Sequence, residues 1–344
     1  MSNDLRKPLA GVVVLEFDAI GPVPFAGMML ADLGADIVRI VRPARAPSIS
    51  ADGPLARGRR IVELDLKSDA GRAAALDLIA GADALLEGAR PGVMERLGLG
   101  PAQCHAANPR LVYGRMTGWG QSGPLALAAG HDINYLALSG ALHAIGPADR
   151  PVPPLNLVAD YGGGAMMLAL GVVAGLTATR AGGAGRVVDA AMTDGAALLS
   201  TLFHTLHGAR LWQDRREANL LDGGAPFYRC YACADGRHVA VGAIEPQFFM
   251  ALLDGLELGA WRDAQHDRAR WPAMQAAFAQ AFAARPRDAW ADRFAATDAC
   301  VTPVLDFAEA PHHPHNVARG TFVEGMGGWV PTPAPRFGPL VEDA

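Results

Sequence analysis

The chain has 344 residues, of which 51% are hydrophobic and 19% are charged, and its formal net charge is −5. This composition provides for a large apolar core and excludes an intrinsically disordered protein. The negative net charge argues against a nucleic-acid-binding protein, whose binding face usually makes its domain basic. A ligand that carries phosphate groups therefore needs a local cluster of basic side chains.

The first third of the chain alternates short apolar runs with helical segments. Strands are predicted at residues 11–17, 35–41, 61–66, 84–87 and 111–116, and helices at 25–33, ending at Gly34, and from the N-cap Ser68 to residue 79. Short connections in such β-α-β units favour a parallel sheet. The first ~125 residues thus predict an α/β fold, a Rossmann-like doubly wound sheet. No dinucleotide-binding glycine motif follows the first strand.

The pattern of predicted helices and strands changes twice in the rest of the chain. Two helical segments are predicted in residues 130–180, then a strand at 186–191, a long helix at 195–213, a β-hairpin that turns at 234–236, and three helices up to about residue 297. We expect a large domain (1–190 with 316–344), linker helices (191–224) and a small α+β domain (225–315). Residues 161–179 carry no charge and approach the length of a membrane span, and we interpret them as a buried core helix, with no membrane association.

The cysteines and the N-terminal residues indicate the cellular location of the protein. Residues 1–8 are polar and lack the apolar stretch of a secretory signal. The four cysteines include one C-x-x-C pair, Cys230 and Cys233, but no second pair or nearby histidine that would complete a metal site. We expect reduced thiols, no bound metal and a cytoplasmic location.

Three residues are candidates for acid/base chemistry. His131 precedes a helical stretch, where the local positive potential disfavours imidazolium and leaves a neutral base; the alternative is a histidine at the helix start that only satisfies backbone groups. Asp160 precedes three glycines, which allow a ligand to approach the backbone closely; the alternative is a simple N-cap. Glu245 follows an apolar run and either is solvated or orients a histidine.

Several basic residues could meet phosphate groups. The candidates are Arg39, Arg42, Arg57, Arg59, Arg60, Lys67, Arg90 and Arg96. Arg42, Lys67 and Arg90 lie just past predicted strands, at the edge where open α/β sheets bind ligands. Any one of them could be a solvated surface charge, but several at strand ends together suggest a phosphorylated ligand.

Six segments give the chain a resemblance to a known family. Residues 9–16, 30–43, 87–92, 117–124, 130–135 and 242–248 resemble class III CoA-transferases over nearly the whole length. The segments around His131 and Glu245 resemble the α-methylacyl-CoA racemase branch, because transferase relatives usually carry an aromatic residue in place of His131. Relatives also usually have an aromatic residue before the Arg-Pro-Gly of residues 90–92, where this chain has Ala89.

The resemblance implies a site and an assembly. His131 and Asp160 would flank the α-carbon of an acyl-CoA thioester, and Glu245 would support His131 across the interface of an interlocked homodimer. The CoA moiety would contact Arg42, Leu64, Asp65, Leu66, Lys67, Glu87, Ala89, Arg90, Arg96, Gly130, Asp132, Ile133, Asn134 and Tyr135. The implied activity is epimerisation of 2-methylacyl-CoA by 1,1-proton transfer through an enolate, with CoA as part of the substrate and no separate cofactor.

Two other functions remain open at this point. A CoA-transferase would use Asp160 as a nucleophile, and a non-catalytic acyl-CoA-binding protein would use neither acid/base group. In the racemase, backbone N–H groups near Asp160 or in the turn of residues 130–132 would donate to the enolate oxygen, and the sequence does not decide between them.

Overall fold

The computed structural model describes residues 7–46, 53–325 and 327–338. Residues 1–6 and 339–344, which belong to the predicted large domain, lie outside this range. The described residues pack into two compact units: the first includes residues up to 141, 154–201 and those from 332, and the second includes 142–153 and 202–331. The domain boundaries expected from the sequence stay a prediction, because packing does not test which segments fold independently.

A six-stranded parallel sheet organises the first unit. Its strands are β1 (Val13–Phe17), β2 (Asp36–Val41), β3 (Arg59–Glu63), β4 (Ala84–Glu87), β5 (Val112–Thr117) and β6 (Arg186–Ala191). The spatial order β3-β2-β1-β4-β5-β6 is that of a doubly wound Rossmann sheet, so the predicted fold class is confirmed. The central strands β1, β2 and β4 are buried almost throughout, which explains their continuous apolar runs.

Helices lie between the strands of this sheet and after its last strand; residues 142–144 and 202–208 of them belong to the second unit. They are α1 (Pro22–Asp32), α2 (Asp69–Ala80), α3 (Val93–Arg96), α4 (Pro101–Ala107), α5 (Asp132–Leu138), α6 (Ala141–Ala144), a π-helical turn (Leu157–Ala165) that continues into α7 (Met166–Arg180), α8 (Met192–Leu199) and α9 (Thr201–Gly208). As predicted, Ser68 is the N-cap of α2, and its Oγ accepts the Gly71 N–H at 3.0 Å.

Three helix predictions were wrong in their limits. Helix α1 begins at Pro22, not at residue 25, because Pro22 and Pro24 lie in the first turn, where a missing N–H loses no hydrogen bond. The predicted long helix is two helices that meet at Ser200, the C-cap of α8. The helix that carries Asp160 begins at Leu157, so Asp160 lies inside its first turn and is not an N-cap.

The helical stretch from Leu157 to Arg180 is long and apolar enough to cross a membrane, and 39% of its most apolar window is buried. The glycines of this stretch explain how it packs on the parallel sheet. A Cβ on Gly171 would lie 2.5 Å from Val188 of β6, and one on Gly175 would lie 2.7 Å from Val112 of β5. The glycines therefore allow α7 to pack closely on the sheet.

The second unit has an antiparallel sheet and its own core. The strands are β7 (Tyr228–Ala232), β8 (His238–Gly242) and β9 (Val301–Pro303), followed by the hairpin of β10 (Phe322–Gly325) and β11 (Gly328–Pro331); the helices are α10 (Pro246–Leu256), α11 (Trp271–Phe282), α12 (Arg287–Phe294) and α13 (Pro314–Arg319). The predicted hairpin and the three helices α10–α12 are confirmed, whereas β9, which pairs with β8, was not predicted. Phe227, Phe249, Phe278 and Phe282 are fully buried in this core.

A close backbone contact fixes the turn that carries Asp160. A Cβ on Gly195 of α8 would lie 1.8 Å from the carbonyl oxygen of Gly163, and one on Gly163 would lie 2.6 Å from the Ala196 nitrogen. Both Gly163 and its neighbour Gly164 are buried. These glycines therefore serve helix packing, and the expectation that they let a ligand approach the backbone is wrong for Gly163 and Gly164.

We predict that Gly195→Ala destabilises the protein by about 1–3 kcal/mol, the usual effect of overpacking. The added methyl has only backbone to displace, so the neighbouring turn must shift. Urea denaturation measures the loss. The control is Gly208→Ala at the end of α9, where a Cβ meets nothing within 4 Å and stability should stay unchanged or rise. Equal midpoints for Gly195→Ala and the wild type would contradict the argument.

Candidate active site

Two cavities open at the carboxyl edge of the parallel sheet, where doubly wound folds bind ligands. The larger, about 690 Å³, is lined by residues that follow β1 to β4, among them Arg42, Arg45 and residues 64–67. The smaller, about 370 Å³, is lined by residues at the start of α1, after β4 and β5, and by His131 and Asp160. Ile20, Gly88 and Ala89 line both cavities, so the two adjoin.

His131 is the N-cap of α5. Its backbone is extended, and its N–H donates to Asn134 Oδ1 at 3.1 Å, which closes the first turn of the helix. The residue is exposed and lines the smaller cavity. His131 thus lies at the positively polarised N-terminus of α5 and also lines the cavity. Its position at a helix start agrees with the sequence analysis.

Asp160 is half-buried and lines the same cavity. Burial raises the pKa of its carboxyl group; the Asn156 amide, 3.4 Å from Oδ2, opposes this rise, the nearby Asp132 carboxylate adds to it, and His131 opposes it. The carboxyl group therefore holds its proton to a higher pH than an exposed aspartate. Such a group suits proton delivery as well as proton removal.

Gly21 lies next to this carboxyl group. It is the N-cap of α1 with φ +71°, a left-handed conformation that side chains disfavour, and a Cβ built on it would lie 3.7 Å from Asp160 Oδ2. The start of α1 therefore forms one wall of the smaller cavity beside the carboxyl group.

The structure brings together part of the CoA-binding set expected from the resemblance. Arg42, Leu64, Asp65, Leu66, Lys67 and Ala89 line the larger cavity, and Ala89, Arg90, Gly130 and Tyr135 line the smaller one. Arg96, Ile133 and Asn134 are exposed and line neither of the two. Glu245 is the exposed N-cap of α10 in the second unit, and its part in the site stays a prediction.

Glu87 and Asp132, two further residues of the expected CoA-binding set, are buried and support segments that line the cavities. Glu87 is fully buried; its Oε2 accepts the Ala89 N–H at 2.6 Å and its Oε1 accepts Arg115 Nε at 3.0 Å. The Asp132 carboxylate is also buried, and its Oδ2 accepts the N–H groups of Ala159 and Asp160 at 2.9 and 2.8 Å. Glu87 thus holds the turn after β4, and Asp132 holds the turn that carries Asp160.

The phosphate-binding role considered for Arg39 and Arg59 is wrong. Both guanidinium groups are buried and face Glu16, at 3.6 Å from Arg39 Nε and 2.7 Å from Arg59 Nη2. Arg39 also pairs with Asp18. Arg57 likewise binds Asp32. A buried guanidinium group requires a counter-charge, and those of Arg39 and Arg59 already have one in the protein. The basic side chains that line the cavities are instead those that follow the strands.

Sequence reasoning missed several residues of the smaller cavity. These are Ile20, Gly21, Pro22 and Val23 at the start of α1, Met116, Thr117, Gly118 and Trp119 at the end of β5, Ala126, Ala128 and Ala129 in the following loop, and Met192 at the start of α8. Their position after β1 and β5 was the available signal, since ligand sites form at strand carboxyl ends. Trp119 packs edge-on against Tyr135, and the Tyr135 hydroxyl donates to the Gly130 carbonyl, so these rings support the turn before His131.

Comparisons with known proteins identify the family of the chain and relatives with the same fold. The model of "CoA-transferase family III" matches residues 9–342. The α-methylacyl-CoA racemases of mouse and human are each 47% identical to the chain over 95% of its length, which covers 85% and 86% of those proteins. The crystal structure of Rv3272 from M. tuberculosis superimposes with a TM-score of 0.80 at 25% identity and covers 96% of this chain and 93% of that one.

We predict that Asp160→Asn stabilises the protein at neutral pH. A raised pKa in the folded state means that wild-type stability falls as pH rises through that pKa, because the charged form is poorly solvated. Below about pH 4, the pKa of an unfolded aspartate, both side chains are neutral and the difference should vanish. Thermal unfolding from pH 4 to 8 measures it, with the exposed Asp77→Asn as control. A stabilisation that grows on acidification would refute the burial argument.

Proposed function

We propose that this chain, which belongs to CoA-transferase family III, interconverts the (R) and (S) epimers of 2-methylacyl-CoA thioesters. The observation that carries the proposal is that one cavity is lined by both the His131 imidazole and the Asp160 carboxyl group. A reaction that removes a proton from one face of a carbon and returns it to the other needs two such groups. The chain is 47% identical to two α-methylacyl-CoA racemases.

The two groups divide the proton transfer between them. For one epimer, neutral His131 removes the α-proton, and protonated Asp160 delivers a proton to the opposite face of the enolate; for the other epimer the roles reverse. The raised pKa of Asp160 favours the protonated carboxyl group that the first direction requires. Each positioned acid/base group contributes roughly 10² to 10⁴ in rate, so stabilisation of the enolate oxygen, about 10² to 10³ per donor, is needed in addition.

The backbone donors for the enolate oxygen belong to the turn before α5. The N–H groups of Ala159 and Asp160 both donate to Asp132, so they are occupied. In the turn, the His131 N–H is taken by Asn134, whereas the N–H groups of Gly130 and Asp132 make no hydrogen bond to another described residue. We therefore infer that the thioester oxygen lies against this turn, next to the imidazole.

The larger cavity is the place for the CoA moiety. Arg42 and Lys67 line it at the ends of β2 and β3, and Arg45 lines it beside Asp18. Their positive charges suit the phosphate groups of CoA. Because the two cavities share Ile20, Gly88 and Ala89, a pantetheine arm can pass from the larger cavity to the thioester in the smaller one.

We further propose an interlocked homodimer, in which Glu245 orients the His131 imidazole across the interface. Support comes from apolar side chains that are left exposed: Leu170 of α7 is 62% exposed and Leu198 of α8 is 60% exposed. Helix α9 has no buried residue at all. Such apolar helix faces are typical of surfaces that a partner chain covers.

We predict that His131→Ala and Asp160→Ala each reduce epimerisation at least 10²-fold, while thioester binding persists. Residual exchange should be confined to the epimer whose α-proton faces the remaining group. NMR of α-proton exchange in D₂O, started from each pure 2-methylacyl-CoA epimer, measures both quantities. Near-normal turnover by either variant would exclude a two-base mechanism.

The same assay separates the racemase from its alternatives. Adding a free acceptor acid tests for transfer of CoA, the reaction expected if Asp160 were a nucleophile. Solvent deuterium at the α-carbon without transfer supports the racemase. Transfer without α-exchange supports a transferase, and binding with neither reaction supports a non-catalytic acyl-CoA-binding protein.

We predict that Arg42→Ala and Lys67→Ala raise KM for the CoA thioester with little change in kcat, because each removes a contact that is the same in the ground state and the transition state. The increase should shrink at high salt, since exposed charges are screened. Arg110→Ala is a matched control, because this arginine bonds to the Thr179 carbonyl and lines neither cavity. A lowered kcat at unchanged KM would contradict the assignment of the larger cavity.

A further inference from the structure

One buried side chain connects the two proposed acid/base groups. Asp132 follows His131 directly as the first residue of α5, and its Oδ2 accepts the N–H groups of Ala159 and Asp160 at 2.9 and 2.8 Å. The residue is 6% exposed. The helix that begins after the imidazole and the turn that carries the carboxyl group are thus joined through a single oxygen atom.

The second oxygen of Asp132 is not explained by this joining role. Oδ1 is buried and has no hydrogen-bond partner among the described residues. An uncompensated buried polar atom lowers stability. One accepting oxygen is sufficient for the two N–H groups, and the neutral amide of asparagine also provides one. Backbone support alone therefore does not require the carboxylate charge at this position.

We propose that Asp132 is a positioning residue for the epimerisation: its Oδ2 sets the spacing between His131 and Asp160, and its buried carboxylate places a negative charge beside the turn that carries Asp160. This inference rests on the function proposed above. Asp132 is not a catalytic residue in this scheme, since its side chain lines neither cavity. It acts on the substrate only through the two groups that it places.

The electrostatic half of the inference follows from the groups that surround Asp160. The groups that change its pKa are Asp132 of α5, His131 before it and Asn156 on the same turn. Tyr135 and Arg90 line the same cavity as Asp160. The Asp132 carboxylate raises the pKa of Asp160, in the same direction as burial, whereas Asn156 and His131 lower it. Loss of the Asp132 charge therefore lowers the pKa of Asp160.

The test compares Asp132→Asn with Asp132→Ala in the full chain. Asparagine keeps one accepting oxygen and removes the charge, whereas alanine removes both. Epimerisation and α-proton exchange are followed against pH from each 2-methylacyl-CoA epimer. We expect Asp132→Ala to lower kcat on the order of 10²-fold, the usual consequence of a displacement near 1 Å, with KM nearly unchanged. Asp132→Asn should recover most of that loss.

The pH profile of Asp132→Asn provides the readout that a purely structural role would not change. In the direction in which Asp160 delivers the proton, activity falls as pH rises through the pKa of Asp160. We expect this fall to move to lower pH in Asp132→Asn. The matched controls are Asp83→Asn and Asp83→Ala, because Asp83 Oδ2 also accepts a backbone N–H, that of Val13 at 2.8 Å, and lines neither cavity. Both controls should keep the wild-type kcat and pH profile.

The outcomes separate this inference from the proposed function. A wild-type protein that does not exchange the α-proton refutes the racemase itself. If the wild type does exchange it, then wild-type kcat in Asp132→Ala, no recovery in Asp132→Asn, or an unshifted pH profile in Asp132→Asn refutes the role of Asp132. Should Asp132→Ala fail to fold, the pH profile of Asp132→Asn decides alone.

Discussion

The site depends on two hydrogen bonds that cross 27 and 28 residues of sequence, from Ala159 and Asp160 to Asp132. They join two segments of the same connection, the stretch between β5 and β6. The connection leaves the carboxyl end of β5, at the edge of the sheet where ligands bind, and α7 then leads back to the amino end of β6. The sheet can place groups to within several ångströms, but proton transfer needs tenths of an ångström. The buried carboxylate supplies this finer level of order.

Close packing of backbone on backbone is the second constraint. The turn of residues 157–165 is π-helical, a wide form that is frequent at functional sites, and it packs on α8 through Gly163 and Gly195 without intervening side chains. Side chains can change rotamer, whereas two backbones in contact have no such freedom. The turn that carries Asp160 is thus held from one side by α8 and from the other by Asp132.

The sequence was sufficient for what depends on local periodicity. Six strands, with the third placed two to three residues too late, their parallel direction, the cap at Ser68 and the hairpin of the second unit all follow from apolar runs and turn residues near one another in the chain. The sequence could not predict side-chain roles that depend on contacts with residues distant along the chain. The burial of the Arg39 side chain on β2 and of the Arg59 side chain on β3 requires Glu16 on β1, and the proposed role of Asp132 requires the turn at Asp160. The glycines of residues 162–164 suggested space for a ligand, and only the position of α8 reveals that Gly163 and Gly164 provide space for packing.

The arginines show how an acidic chain can accept a polyanion such as CoA. Within the strands, Arg39 and Arg59 are matched by Glu16 and Asp18, so their charges are compensated and project little field into the solvent. Past the strand ends, Arg42 and Lys67 are exposed and line the larger cavity. Asp18 lies at the boundary, where it binds Arg39 and is 3.5 Å from Arg45, which lines the same cavity. The net charge of −5 is therefore compatible with a phosphate site, because attraction acts over about one Debye length, roughly 8–10 Å, and depends on local rather than total charge.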